Sequence, residues 1–335
     1  MKKIEEINWG FIDIPRGCRV LIYKHCVEEF HEAIKNIYPD AHFYNTEGKL
    51  LSEAVREAHV LAGWRFPDEL LQKAVNLKWI QLISAGMDLT EKKYDNNNLI
   101  NSNVVITTSK GIYSDAVADY AVWAILTLLR KFHLLIEARG LKKWAQHIGE
   151  DTRGKVVGIL GFGGIGSAIA KRIKAFDMKV TAVKRNVASE YGIPDIDTLY
   201  PVTDLIRFLG GIDILVISLP LTSETIGLIG RNEFVRMKNS AFIIDVSRGG
   251  IVNHKDLMWA IKNKIISGAV LDVFEDEPLP KDSELWNLSN VIITPHIAGI
   301  TADYARKTGS FFCKNLMRYI EGKDLINVIN KLEGY

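Results

Sequence analysis

Three polar groups with complementary chemistry follow apolar runs in the second half of the sequence. They are Arg248, the acidic run 275–277 and His296. The carboxyl ends of parallel strands meet at one edge of a sheet, where ligands bind. An imidazolium backed by a carboxylate can protonate a carbonyl oxygen, and a guanidinium can hold a carboxylate. The trio predicts carbonyl chemistry on an acidic substrate. The alternatives are a surface ion pair, a solvated loop and a structural histidine.

A glycine-rich turn lies between an apolar run and an amphipathic stretch at 156–175. Gly161 allows a tight turn, Gly163 lets a pyrophosphate approach the backbone, and Gly166 lets the following helix pack on the strand. The helix amides then face the phosphates. The pattern predicts dinucleotide binding, with a purely structural turn as the alternative. The predicted contacts are Gly161, Gly163, Gly164, Ile165 and Gly166.

The next apolar run ends at Val183, where an NAD site usually carries an acid for the ribose 2′-hydroxyl. Here Lys184 and Arg185 follow instead. Two cations favour a 2′-phosphate, to which arginine donates a forked pair of hydrogen bonds. We therefore expect NADP(H) to be preferred, with NAD(H) still possible. A solvated basic pair at a strand end is the alternative.

Short apolar runs alternate with helical patterns along most of the chain, which is typical of parallel α/β folds. In the first third, strands are predicted at 19–24, 41–45, 59–64, 77–84 and 104–109, with helices at 27–37, 49–58 and 67–75. A long helix at 115–134 leads to further strands at 156–160, 179–183, 213–219, 241–247, 268–274 and 291–294, and a helix is predicted at 302–321. So many strands predict two doubly wound parallel sheets.

The composition is that of an ordinary globular protein. Of the 335 residues, 47% are hydrophobic and 24% charged, and 42 basic residues against 40 acidic ones leave a charge of +2. This balance argues against a disordered chain and against nucleic acid as a partner. No apolar stretch is long enough to cross a membrane, and the first residues do not resemble a signal peptide. We expect a cytoplasmic protein with reduced cysteines and no metal site.

Seven motifs together resemble the D-2-hydroxyacid dehydrogenase family, which includes glyoxylate/hydroxypyruvate reductases, phosphoglycerate dehydrogenases and D-lactate dehydrogenases. They are SAGMD (84–88), VADYA (117–121), GILGFGGIG (158–166), SLPLTSETIGLI (218–229), DVSRGGIVN (245–253), LDVFEDEPLP (271–280) and TPHIAG (294–299). They occur in the family's order and span most of the chain.

The resemblance implies a role for each member of the trio. Arg248 would bind the substrate, His296 would be the acid/base, and Glu277 its carboxylate partner, because the family's glutamate directly precedes a proline. The amides of Ala85 and Gly86 would take the substrate carboxylate. The further cofactor contacts implied are Pro220, Thr225, Val246, Asp272 (to the nicotinamide carboxamide) and Gly299. Asp245 is a departure, since many members carry asparagine there.

The resemblance also implies an architecture. Residues 1–109 plus 300–335 would form a flavodoxin-like substrate domain, and residues 110–299 a Rossmann nucleotide-binding domain, with a cleft that closes on substrate. Family members are usually dimers through the nucleotide domain. A homodimer is therefore expected, and Trp123 and Trp144 are candidates for its surface.

The favoured function is reduction of a small 2-keto acid such as glyoxylate or hydroxypyruvate with NADPH. One alternative is a D-3-phosphoglycerate dehydrogenase without a regulatory domain, since nothing follows residue 335. A second is a non-catalytic nucleotide sensor. A short-chain dehydrogenase, suggested by Tyr319 and Lys323, fits poorly because a glycine interrupts that motif near the C-terminus.

Overall fold

The computed structural model describes residues 9–14, 17–23, 27–44, 51–64, 66, 68–86, 99, 101–185 and 194–331. The chain divides into two compact units. The first comprises residues 1–113 and 301–335, and the second residues 114–300. Each unit is built around its own sheet, and the two are described separately.

The first unit contains a six-stranded sheet in the order β3-β1-β2-β4-β5-β6. Its strands are β1 (Trp9–Ile14), β2 (Cys18–Tyr23), β3 (His42–Tyr44), β4 (Val60–Gly63), β5 (Trp79–Leu82) and β6 (Val105–Thr107). Strands β2, β4, β5 and β6 are parallel, whereas β1 pairs antiparallel with both β2 and β3. The parallel α/β pattern predicted from the sequence is thus present, with one antiparallel strand inserted.

Among the described residues, four helices cover this sheet: α1 (Val27–Ile37), α2 (Leu51–Glu57), α3 (Asp68–Lys73) and, from the end of the chain, α10 (Tyr304–Ile320). The last helix returns to the first unit because its apolar side chains complete that unit's core. Phe312 is fully buried, with its ring 5.2 Å from Phe30 and 5.5 Å from Trp79.

A buried polar network also fastens α10 and the tail to the sheet. Asn315 donates to Gln81 Oε1 (3.2 Å) and to the carbonyl of Ile326 (3.0 Å), and it accepts from the Ile326 amide (2.9 Å). Gln81 Oε1 also accepts from Thr107 (2.9 Å). Because unpaired buried amides are costly, such a network fixes one register of the helix on the sheet.

The second unit contains a seven-stranded, all-parallel sheet in the order β13-β12-β11-β10-β7-β8-β9. Its strands are β7 (Val156–Leu160), β8 (Lys179–Lys184), β9 (Thr198–Pro201), β10 (Ile214–Ile217), β11 (Phe242–Asp245), β12 (Gly268–Leu271) and β13 (Val291–Ile293). The strand order reverses beside β7, so the turn after β7 lies at the topological switch point where ligands bind in such sheets.

The helices of this unit are α4 (Ser114–Leu129), α5 (Phe132–Gly140), α6 (Gly164–Lys174), α7 (Leu205–Gly211), α8 (Arg231–Phe234) and α9 (His254–Lys262), and short 3₁₀ turns occur at Val202–Asp204 and Glu284–Asn287. On the outer surface Arg172 of α6 donates to Asp115 (2.8 Å) and Asp119 (2.6 Å) of α4. These contacts join the first helix of the unit to the helix that follows the glycine turn.

The sequence-based assignment was wrong in three places. The helix expected at 115–134 is two helices, because Lys131 adopts a left-handed conformation (φ 52°) that interrupts the hydrogen-bond ladder. Strands β1 and β9 were not predicted. β9 is short, lies at the sheet edge and ends in a proline, a residue that only edge strands tolerate.

Within the described part of the chain, no helix combines the length and the apolar character that a bilayer crossing requires. Nor is any group of three histidine, cysteine or acidic side chains there arranged to hold a metal ion.

Candidate functional site

The glycine turn between β7 and α6 has the geometry that its sequence predicts. Gly161 has φ +99°, a left-handed value that L side chains rarely adopt. A Cβ at Gly166 would stand 2.5 Å from the carbonyl oxygen of Gly161, so only glycine lets the helix approach the strand so closely. Packing within the protein therefore explains two of the three glycines.

Gly163 is different, because the protein itself does not require a glycine there. A Cβ at this position meets no atom of the described residues within 4 Å, and the backbone (φ −104°, ψ −153°) is extended and open to any residue. Gly163 is exposed at the start of α6, whose first amides have no partner within the helix. Open space over a helix N-terminus fits a pyrophosphate, so these residues suit a dinucleotide.

Opposite charges meet beside this turn, at the end of β8. Lys184 is the last residue of β8 and is half-buried, and Arg185 is exposed. Arg185 donates from Nη2 to Oε2 of Glu224 across 2.8 Å. Glu224 lies in the loop after β10, a strand on the other side of β7. The sequence prediction missed this carboxylate because it is distant along the chain. Asn186 lies outside the described residues.

His296 and Glu277 form a hydrogen-bonded pair at the same edge of the sheet, after strands β12 and β13. His296 Nδ1 lies 2.9 Å from Glu277 Oε2, and Glu277 Oε1 accepts from the Phe274 amide at 3.0 Å. Partial burial opposes ionisation of Glu277, but these hydrogen bonds and the charge of Arg248 outweigh it and lower the pKa of this carboxyl. The three predicted side chains are thus neighbours. Each follows a different strand at the edge of the sheet where the parallel strands have their carboxyl ends, which is the rim of the sheet.

The loop that carries His296 is fastened to a buried carboxylate, that of Asp272. Asp272 is 1% exposed. Its Oδ1 accepts from the Ile297 amide (2.9 Å) and the Thr294 hydroxyl (2.6 Å), and its Oδ2 accepts from the Ala298 amide (2.9 Å). These bonds hold His296 in a left-handed conformation with φ 54°. A residue held in a sparsely populated backbone region is a frequent mark of a functional site.

Tyr120 of α4 extends this arrangement by one residue. Its hydroxyl lies 2.5 Å from Thr294 Oγ1, which in turn donates to Asp272. Burial raises the pKa of Tyr120, so the hydroxyl stays protonated and can donate to Thr294. The chain Tyr120–Thr294–Asp272 was not predicted, because no local pattern marks a contact between residues so far apart in sequence.

Arg248 lies on a compact turn directly after β11. Its Nη1 donates to the carbonyl of Ser247 at 2.9 Å. A Cβ on the next residue, Gly249, would stand 1.9 Å from the carbonyl oxygen of Phe274, so the turn can pass the end of β12 only with glycine there. The backbone beside Arg248 is therefore fixed by close packing.

A fully buried carboxyl supports the same turn. Asp245 Oδ1 accepts from the Ser247 amide (3.0 Å) and from the Ser247 hydroxyl, whereas Oδ2 has no hydrogen-bond partner among the described residues. Burial raises the pKa of Asp245 to about 7, with a further contribution from the charge of Asp272; the Ser247 hydrogen bonds and Arg248 oppose the shift. A carboxyl without a partner for one oxygen is costly to ionise in such a place.

The remaining predicted cofactor residues lie on the same rim of the second unit. Pro220 is exposed, Val246 is buried beside Asp245, and Gly299 is half-buried after the His296 loop. The Thr225 hydroxyl accepts from the Thr222 amide (2.8 Å) and donates to the Pro220 carbonyl (2.7 Å). Thr225 thus uses its hydroxyl to shape the loop after β10.

Ala85 and Gly86 belong to the first unit, in the bend that follows β5, and Met87 and Asp88 of the same motif lie outside the described residues. The hydroxyl of Tyr113 donates to the Ile83 carbonyl at 2.6 Å, and Ser84 donates to the Gly86 carbonyl at 2.6 Å. Within the described part of the chain, the amides of Ala85 and Gly86 donate no hydrogen bond. These two hydrogen bonds hold the short bend in place.

Comparison with known proteins assigns the second unit to a family. A family model described as "D-isomer specific 2-hydroxyacid dehydrogenase, NAD binding domain" matches residues 122–298. The chain is 34% identical over 274 residues to a glyoxylate reductase of Thermofilum pendens, which covers 78% of each chain. It is 31% identical over 329 residues to a glyoxylate/hydroxypyruvate reductase B of Yersinia pestis bv. Antiqua, which covers 93% of this chain and 97% of that protein.

A solved structure extends the similarity to the whole fold. The D-isomer specific 2-hydroxyacid dehydrogenase of Xanthobacter autotrophicus Py2, solved with NADPH and MES, has a TM-score of 0.77 and 25% identity, covering 94% of this chain and 98% of that one. Together with the strand orders, this confirms the predicted fold class of two parallel-sheet α/β domains.

Proposed function

The chain belongs to the D-isomer specific 2-hydroxyacid dehydrogenase family, and from this premise we propose that it is an NADPH-preferring reductase of small 2-keto acids such as glyoxylate or hydroxypyruvate. Membership makes it an NAD(P)-dependent oxidoreductase that acts on a 2-hydroxy or 2-keto acid. The observation that carries the proposal is the His296–Glu277 pair on the rim of the dinucleotide-binding sheet.

His296 is the proton donor in this proposal. Its Nδ1 is occupied by Glu277, so Nε2 is the ring atom left to face a substrate. A reduced nicotinamide, when bound, would supply the hydride that the carbonyl carbon accepts. As negative charge grows on the carbonyl oxygen, the imidazolium Nε2 gives it a proton, and a 2-hydroxy acid results. Glu277, whose pKa is lowered, stays ionised and keeps the ring oriented through Nδ1.

Arg248 and the β5 bend recognise the substrate's acid group. The guanidinium of Arg248 can pair with a carboxylate and polarise the neighbouring carbonyl. The amides of Ala85 and Gly86 are the second set of donors for that carboxylate. The division of roles follows the expected domains, 1–109 plus 300–335 for the substrate and 110–299 for the nucleotide.

Preference for NADPH rests on the two cations at the end of β8. Lys184 and Arg185 favour a 2′-phosphate, and the relative from Xanthobacter autotrophicus was solved with NADPH. Gly161, Gly163, Gly164, Ile165 and Gly166 bind the pyrophosphate. Pro220, Thr225, Val246, Asp272 and Gly299 complete the nucleotide site, with Asp272 also anchoring the His296 loop.

A substrate panel tests the proposal. Glyoxylate, hydroxypyruvate, pyruvate and 3-phosphohydroxypyruvate are each offered with NADPH and with NADH, and nucleotide oxidation is followed by absorbance. We expect the highest kcat/KM for glyoxylate or hydroxypyruvate with NADPH, and a D-configured product where the product is chiral. A maximum for the phosphorylated acid would favour the phosphoglycerate dehydrogenase alternative, and no turnover at all would favour the nucleotide sensor.

We also propose a homodimer through the second unit, and exposed apolar side chains of that unit support it. Apolar side chains stand exposed along α5 and the segment after it: Phe132, Ile136, Leu141, Trp144 and Ile148. Trp144 is 98% exposed, and a patch of this kind is typical of a protein–protein interface. Trp123, on α4, is also partly exposed.

A homodimer should have twice the mass of one chain in light scattering. Trp144→Glu should yield monomers without unfolding the chain, because this side chain packs against so little of its own protein. Val75→Glu, at an exposed apolar residue of the first unit, is the matched control and should leave the dimer intact. A wild-type monomer at micromolar concentration would contradict the proposal. The cytoplasmic location stays a prediction.

A further inference from the structure

The ion pair between Arg185 and Glu224 brings a carboxylate to a place where the sequence supplies only cations. Nη2 of Arg185 and Oε2 of Glu224 are 2.8 Å apart. Their strands, β8 and β10, flank β7 in the sheet, so the two side chains meet beside the glycine turn. In the proposed nucleotide site, this is where the adenosine ribose lies.

The two forms of the cofactor place opposite demands on this position. The 2′-hydroxyl of NADH needs an acceptor, which an acid at the end of the second strand commonly supplies. The 2′-phosphate of NADPH carries about −1.5 to −2 charges at neutral pH, so it is repelled by a carboxylate and attracted by a guanidinium. One acid paired with one arginine can meet either demand, according to which partner faces the ribose.

The loop that carries Glu224 is firm, whereas its side chain is not confined. The Thr225 hydroxyl fastens the loop to Thr222 and Pro220, and the Thr225 amide donates to the Thr222 carbonyl at 3.0 Å. The side chains of Arg185 and Glu224 are 61% and 73% exposed. Exposed ion pairs contribute little to stability, so a phosphate can displace Glu224 from Arg185 at small cost.

We propose that Glu224 is a specificity-determining residue for the nucleotide, accepting a hydrogen bond from the ribose 2′-hydroxyl of NADH and competing with the 2′-phosphate of NADPH for Arg185. The proposal rests on the proposed nucleotide site. Glu224 narrows the preference for NADPH that Lys184 and Arg185 create, and it gives the enzyme its capacity to use NADH.

Nucleotide titrations with wild type, Glu224→Gln, Arg185→Ala and the double variant test this. Glutamine keeps the size of the side chain and removes its charge. We expect Glu224→Gln to tighten NADPH about three- to tenfold and to weaken NADH by about the same factor. The gain for NADPH should be smaller in the Arg185→Ala background, because part of it comes from releasing the arginine.

Asp282→Asn is the matched control. It removes the same charge from an exposed position of the same unit, and both dissociation constants should stay within about twofold. Equal changes for NADPH and NADH in Glu224→Gln, alongside a selective loss of NADPH binding in Arg185→Ala, would overturn the role of Glu224 alone. An Arg185→Ala variant that binds NADPH normally would contradict the proposed nucleotide site, and with it the role assigned to Glu224.

Discussion

The two ends of the rim of the seven-stranded sheet are built in different ways. At the end formed by β11, β12 and β13, buried carboxyls hold the backbone: Asp272 anchors the His296 loop and Asp245 supports the Arg248 turn. At the end formed by β8 and β10, an exposed pair, Arg185 and Glu224, meets in solvent. The first end would fix the proposed reacting groups in place, and the second would leave the choice of nucleotide adjustable.

Such a division has a physical reason. Proton transfer requires a donor within hydrogen-bond reach, so a small displacement of His296 affects the rate strongly. Recognition of a ribose phosphate depends on charge, which acts over a longer distance and tolerates movement. Substitutions at the first end should therefore have large effects on turnover or stability, and those at the second end moderate effects on affinity.

His296→Ala gives the largest expected effect. Loss of the proton donor should lower kcat/KM for glyoxylate by about 10²–10⁴, because general acid catalysis contributes that much. The dissociation constant for NADPH, measured by titration, should stay within about twofold. His42→Ala, at an exposed histidine of the first unit, is the control and should be unchanged. An undiminished rate in His296→Ala would remove the imidazole from the mechanism.

Asp245→Asn tests the buried end through its dependence on pH. The pKa of Asp245 is raised from an ordinary value of 3.8 to about 7. Between those values the unfolded chain releases a proton that the folded chain retains, so this group lowers the free energy of unfolding as pH rises, by at most about 4 kcal/mol. Above pH 7 the loss is complete, and below about pH 4 it is absent.

The asparagine side chain cannot ionise, so the variant does not lose free energy of unfolding through this group as pH rises. Urea denaturation at pH 5 and pH 8 should show that the variant gains stability relative to wild type at the higher pH. All other titrating groups are shared, so they cancel in the difference. If the difference in urea midpoint between wild type and variant did not change with pH, Asp245 would titrate normally. The contrast between the two ends would then no longer include this carboxyl.

Arg185→Ala gives the smallest expected effect and concerns the exposed end. We expect NADPH binding to weaken about five- to tenfold, because one exposed charge-assisted hydrogen bond is lost. NADH binding should change less than twofold. Arg207→Ala, at an exposed arginine of α7, is the control. A loss of stability in Arg185→Ala would show that this end is as structural as the other.

Much of this arrangement could be predicted from the sequence, because it depends on local patterns. The alternation of apolar runs and helices predicted two parallel sheets, and the rule that ligands bind at strand ends singled out Arg248, the acidic run 275–277 and His296. The choice of Glu277 within that run came from the resemblance to the family. The glycine turn between β7 and α6 was equally plain, since its spacing between an apolar run and an amphipathic stretch is a local pattern.

What the sequence could not supply depends on strand order and tertiary contact. Glu224 reaches Arg185 only because β10 and β8 flank β7, which no spacing along the chain reveals. The contact from Tyr120 to Thr294 joins residues from a helix and a distant strand end. The break at Lys131 has no glycine or proline to mark it, and β1 is an antiparallel strand inserted among parallel ones.

The empty space above Gly163 has a practical consequence for genetics. Because no atom of the residues that the structure describes occupies it and the backbone there suits any residue, Gly163→Ala should fold as wild type does, yet place a methyl group where a pyrophosphate would sit. The variant would be present in a cell as a folded protein but would not bind the nucleotide. Its phenotype could then be compared with that of a deletion, which removes the protein altogether.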